Sequence, residues 1–182
     1  TGRRWTPPHQ RARATLADLW GGNFIATCSA MFRKDVLADV PAWYDDCFPV
    51  TDWPLYVLYA EQGDIGYVPE VMGAYRLHAG GLYSPLSEAE KLRSVDRLYR
   101  AMNAGTAGRH DALARRGHRR YFLDWARALL ARGDVALARL ALKLSVGWGW
   151  PRALGDLAET ARLGLAAWGP RAACGPFPRG SA

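Results

Sequence analysis

No stretch of this chain reaches the roughly 18 consecutive apolar residues that a membrane-crossing helix needs, and Thr1 to Gln10 is basic and proline-bearing, without the apolar core of a secretory signal. The chain therefore reads as soluble, or at most attached to a membrane surface, and a cytoplasmic setting is expected. Cysteine is scarce and odd in number: Cys28, Cys47 and Cys174, with no C-x-x-C spacing. That argues against a disulfide framework and a zinc site. Acidic residues are in deficit, 17 against 24 Lys and Arg, for a net charge of +7. The chain opens on Thr1 rather than Met and reads as a processed or partial sequence.

What is present is enough for a globular fold. Hydrophobic residues make up 49% and charged residues 23%, outside the range of disordered chains. The basic excess gathers in two places, Arg3 to Arg13 and Arg115 to Arg120. Such runs are usually a solvated surface, but they also suit an anionic membrane or a phosphorylated ligand. Trp, Tyr and Arg are plentiful without an RNP motif or zinc finger, so nucleic acid is not a predicted partner.

Along the chain, residues 1–14 read as a linker or cut loop. Thr15 to Trp20 has a capping residue and helical spacing, and Gly21-Gly22 stops it. Asn23 to Phe32 is short, apolar and rich in β-formers, which predicts a buried strand. One or two helical turns are expected over Arg33 to Ala38 and a loop over Pro41 to Val50. Asp52 precedes a helix with Pro54 in its first turn, where a missing N–H costs little. Strands are expected at Ile65 to Pro69 and Val71 to Leu77, completing the remnant of an α/β layer over 15–84.

A helical region follows over 85–168. Ser87-x-x-Glu90 is a capping box opening a helix to about Asn103. Further helices are predicted at about Arg109–Arg132, Asp134–Ser145 and Pro151–Ala167. Tyr121 to Pro151 looks like a single tetratricopeptide-type hairpin with no second copy at that period. A disordered tail is expected over 169–182.

Several residues are suited to chemistry. Asp52 is either a helix cap or a general base held in a fixed direction by the helix N-terminus. Trp53 beside it is either core or an apolar wall for a sugar ring. Arg76 and His78 stand two apart in the predicted strand and share a face. They are either a solvated Arg and a turn His, or groups for a diphosphate and the divalent metal it shares. Gly80 and Gly81 permit close approach of a loop to a ligand.

The ordered series G-N-F-I-x-T-x-S-x-M-F-R, then D-W-P-L, then G-x-I-x-Y-x-x-E-V-M-G-x-Y-R-x-H-x-G-G resembles bacterial family 2 glycosyltransferases of the GT-A fold, over about Thr15 to Ser84. The resemblance implies the C-terminal, acceptor-side part of a Rossmann-like domain. The enzyme it implies moves a sugar with inversion from a nucleotide-sugar donor to a hydroxyl of a carbohydrate or glycolipid acceptor, in surface polysaccharide or glycolipid synthesis. By the same resemblance Asp52 is the catalytic base, and His78 touches a divalent metal (Mg²⁺ or Mn²⁺) or the diphosphate. Arg76 assists the leaving group, and Asn23 and Ser29 belong to the segment shaping the donor and acceptor pocket. Two departures stand out. Thr51-Asp52 replaces the usual Glu-Asp, and the metal-holding Asp-x-Asp of the donor half is absent, Asp45-Asp46 being adjacent and pointing apart. The isolated chain is accordingly expected to be inactive. The competing reading is a non-catalytic helical interaction module that docks a protein partner or an anionic membrane surface, peripheral contact with the inner membrane included.

Overall fold

A computed structural model describes residues 11–37, 39–74, 80–149 and 154–169. In chain order the elements are β1 (Arg13–Ala14), α1 (Leu16–Gly21), α2 (Asp52–Ala60), β2 (Ile65–Gly66), α3 (Glu88–Gly105), α4 (Asp111–Ala131), α5 (Val135–Val146) and α6 (Leu154–Trp168). Short 3₁₀ turns lie at Thr27–Ser29 and Ala42–Cys47. The chain divides into two compact units, Thr1–Gly117 and His118–Ala182.

The expected α/β layer is not what these residues form. Among the described residues the sheet is one antiparallel pair of two-residue strands, Arg13 opposite Gly66 and Ala14 opposite Ile65. Helices take more than half of the described positions. The run Asn23 to Phe32 is not a strand: it holds the 3₁₀ turn, and Thr27, Cys28 and Ser29 are exposed. Val71 to Ala74 is irregular and exposed as well, and 75–77 lie outside the described residues. A β-forming composition is realised only where a neighbouring strand supplies hydrogen bonds and side-chain cover, and these runs have no such neighbour among the described residues. This overturns both the Rossmann-like GT-A remnant and the family resemblance that implied it.

The first unit is organised around the C-terminal end of α1. A helix leaves its last carbonyls without internal partners. Here the Trp53 indole N–H, on α2, donates to the Leu19 carbonyl at 2.9 Å, and the Tyr99 hydroxyl, on α3, donates to the Trp20 carbonyl at 3.0 Å. The rings of Trp53 and Tyr99 meet edge-on at 5.2 Å. Leu19, Trp20, Val57, Leu92, Leu98 and Met102 close the core around them. On α3 the apolar positions recur at helical spacing, and the capping box forms as predicted, with the Ser87 N–H donating to Glu90 at 2.8 Å.

At the end of α2, Glu61 accepts from Arg109 Nη2 at 2.9 Å and lies 2.7 Å from His110 Nε2, both on the same carboxylate oxygen. Burial pushes this carboxyl up, but the Arg109 and His110 hydrogen bonds outweigh it and hold it below the usual 4.5. A carboxyl depressed in the folded state stabilises the fold above its unfolded pKa, and that contribution is lost as pH falls through the folded value. Glu61→Gln is therefore expected to lower Tm at neutral pH. The gap from wild type should close as pH falls below about 4.5. Calorimetric melts from pH 7 to pH 3 read this directly, and a gap that stays constant with pH would remove Glu61 as its source.

In the second unit, Gly133 takes positive φ (79°) after α4, and Asp134 caps α5 by accepting from the Leu137 N–H at 3.1 Å. Phe122, Leu123, Ala126, Leu129, Ala138, Ala141 and Leu163 are buried. His118 is buried as well, its ring 4.7 Å from Phe122 and 5.4 Å from Trp148. Two arginines of α4 reach α6: Arg119 lies 3.7 Å from Asp156, and Arg127 pairs with Glu159. Among the described residues no helix is long and apolar enough to cross a membrane.

Candidate functional site

Among the described residues, two places gather side chains suited to function. The first surrounds Asp52. This residue opens α2, and its Oδ1 accepts the Trp53 backbone N–H at 2.8 Å. Its Oδ2 accepts the Thr27 hydroxyl at 2.6 Å, which ties the 3₁₀ turn to the helix start. The Tyr56 phenol, one turn further along α2, lies close to the Thr27 hydroxyl. The Tyr44 hydroxyl donates to the Thr51 carbonyl at 2.7 Å. Burial pushes Tyr56 up to about 12, with the Asp52 charge adding to it, and burial raises Tyr44 in the same direction. Both carboxylate oxygens of Asp52 thus accept hydrogen bonds from the chain itself, among phenols that stay protonated at neutral pH.

The other predicted residues disperse from this point. Trp53 turns inward and is 2% exposed. Asn23 accepts the Ile25 N–H at 2.9 Å in a local turn. Ser29 lies in the Thr27 turn and donates to the Ala26 carbonyl at 2.8 Å. Gly80 is exposed and Gly81 stands beside Ser84. Arg76 and His78 lie outside the described residues. Among the described residues no three His, Cys, Asp or Glu side chains are placed to hold a metal ion. The reading as a glycosyltransferase fragment presupposed a sheet-based donor and acceptor domain, and it falls with that fold, as do the transferase, nucleotide-sugar and polysaccharide-synthesis roles attached to it.

The second place was not singled out from sequence. Between α5 and α6 lies a groove of about 440 Å³, lined by Leu142, Lys143, Val146, Leu157, Thr160, Ala161, Gly164 and Trp168. The buried face of α6 carries Leu163 and Ala167, and its C-terminal end is held by Arg139, which donates to the Ala167 carbonyl at 2.9 Å and lies 5.7 Å over the Trp168 ring. Asp156 and Glu159 are paired with the α4 arginines. The remaining face is apolar and open: Leu154 is 84% exposed, Leu165 75% and Trp168 48%. The signal for this was in the sequence. Leucines at 154, 157, 163 and 165 spread around more of the helix than one buried stripe uses.

No family model and no solved structure matches the chain. Curated relatives from Mycobacterium tuberculosis and Mycobacterium bovis, each described as an uncharacterized protein, are 38% identical to it over 79 residues, which is 42% of this chain. The match spans 22% of the relatives' length.

Proposed function

We propose that the chain works as a non-catalytic helical interaction module whose docking surface is the α5–α6 face, and that the surface it meets is anionic and offers apolar groups. The observation that carries this is the division of labour on α6. Its acidic residues are held by Arg119 and Arg127, while Leu154, Leu157, Leu165 and Trp168 stand open on the side bordered by Lys143. Exposed contiguous apolar surface with a charged rim marks an interaction site more often than a bare surface does.

The simplest probe of that chemistry is anilinonaphthalene sulfonate, an aromatic anion whose fluorescence rises in apolar surroundings. A saturable site is expected on the full chain. Leu157→Asp removes apolar lining and adds a repelling charge, and Ala161→Trp fills the groove. Each is expected to weaken dye binding by about tenfold or more, since one Leu side chain is worth about 1.5–3 kcal/mol on burial. Both positions are exposed, so thermal melts are expected to stay close to wild type. Undiminished dye binding in both variants would place the docking surface elsewhere.

A further inference from the structure

Resting on that docking reading, we infer that the surface met by α6 is an anionic lipid bilayer, with the helix lying in the plane of the interface. Leu154, Leu157, Ala161, Leu165 and Trp168 recur at intervals of three and four, which places them in one stripe along the whole helix. The stripe is about 22 Å long at 1.5 Å per residue. That is too short to cross a bilayer core of about 30 Å, yet long enough to lie on one.

The shape of the exposed face separates a bilayer from a peptide. A helical peptide seated in the groove would cover Leu157, Ala161 and Trp168. Leu154 and Leu165 are not part of the groove lining and are the most exposed leucines of α6. A peptide would leave them in water, whereas a flat apolar boundary covers the whole stripe together.

The charges fall where a lipid headgroup layer needs them. Lys143, on α5, borders the stripe along the groove. Arg162 is exposed and stands about 100° around the helix from Ala161, on the other border. Glu159 stands about 160° from Ala161, turned away from the stripe, and is paired with Arg127. Between His118 and Gly169, eight Lys and Arg stand against four Asp and Glu. All four acids are engaged: Asp124 and Glu159 with Arg127, Asp156 with Arg119, and Asp134 at the α5 cap. Trp168 ends the stripe, and its amphipathic ring suits the headgroup level.

The test is co-sedimentation of the full chain with vesicles of phosphatidylcholine alone and of equal parts phosphatidylcholine and phosphatidylglycerol. Wild type is expected to pellet with the anionic vesicles and not the neutral ones, and to be released at about 0.5 M salt, where screening is strong. Leu165→Glu is expected to weaken binding by at least about tenfold. Lys143→Gln with Arg162→Gln is expected to weaken it on the order of twentyfold, about fivefold for each basic residue near an anionic surface. Melting curves of the variants should match wild type, because all three positions are exposed.

Equal binding to neutral vesicles, or anionic binding untouched by Leu165→Glu, overturns the lipid assignment. No pelleting with the dye site intact overturns it too and leaves the docking surface standing. Displacement of the dye by an acidic, leucine-bearing helical peptide but not by anionic vesicles makes the occupant a protein. Loss of both dye and vesicle binding removes both readings.

Discussion

Gly117→Ala is expected to destabilise the protein by about 3 kcal/mol. The direction opposes helix propensity, since alanine is favoured over glycine by about 1 kcal/mol inside a helix. Gly117 sits within α4, and a Cβ built there overlaps the carbonyl oxygen of Trp20. The obstacle is backbone, not the tip of a flexible side chain. That carbonyl is also the acceptor for the Tyr99 hydroxyl. Moving it aside disturbs the contact that joins α1 to α3, so the added methyl group costs more than one overpacked core atom. Urea unfolding followed by circular dichroism measures the change. Gly155, on α6, has open space where its Cβ would stand and serves as the control. There alanine is expected to be neutral or slightly stabilising. Equal behaviour at the two positions would mean that α4 does not approach α1 this closely.

Trp53→Ala is expected to cost about 4 kcal/mol, in the range found when a large buried aromatic is truncated. Trp53 is among the largest fully enclosed side chains of its unit and fills the space between α1 and α3. Its indole N–H also serves the Leu19 carbonyl, whose other donor is the Gly22 N–H at 3.1 Å. Trp53→Phe keeps most of the apolar bulk, removes that donor and gives up a small part of the ring volume. It is expected to cost about 1–2 kcal/mol, the range for a lost hydrogen bond to a buried acceptor. Urea midpoints for the two variants separate packing from hydrogen bonding. A loss under about 1 kcal/mol for Trp53→Ala would show that the ring is not part of the core.

The helices were legible in the sequence because their ends carry local chemistry. Ser87 and Glu90 mark the start of α3, Pro54 the first turn of α2, and Gly133 with Asp134 the turn from α4 to α5. Each signal acts within four residues and needs no distant partner. The strands were not legible for the opposite reason. Asn23 to Phe32 and Val71 to Leu77 have β-forming compositions, but a strand exists only through a neighbour, and a short apolar run does not say whether one is there. The ordered resemblance to a glycosyltransferase rested on those same runs, and so misjudged the fold. At the candidate site, the open face of α6 was encoded in leucine spacing. Which of its two apolar faces stays open depends on how Arg119, Arg127 and Arg139 hold the helix, and that is a tertiary fact.

The pairing of β1 with β2 has a consequence in time. It joins Arg13 and Ala14 to residues 51 or more positions away, through two residues of ladder and the ion pair of Arg13 with Asp64. Closing a loop of that length costs more chain entropy than closing a short one, and little contact is gained in return. The α4–α5 hairpin, by contrast, closes across Gly133 and Asp134. Short-range contacts form fast and long-range ones slowly. During folding the hairpin is therefore expected to form early, and the strand pair, which fastens the start of the described chain to the segment after α2, is expected to form late.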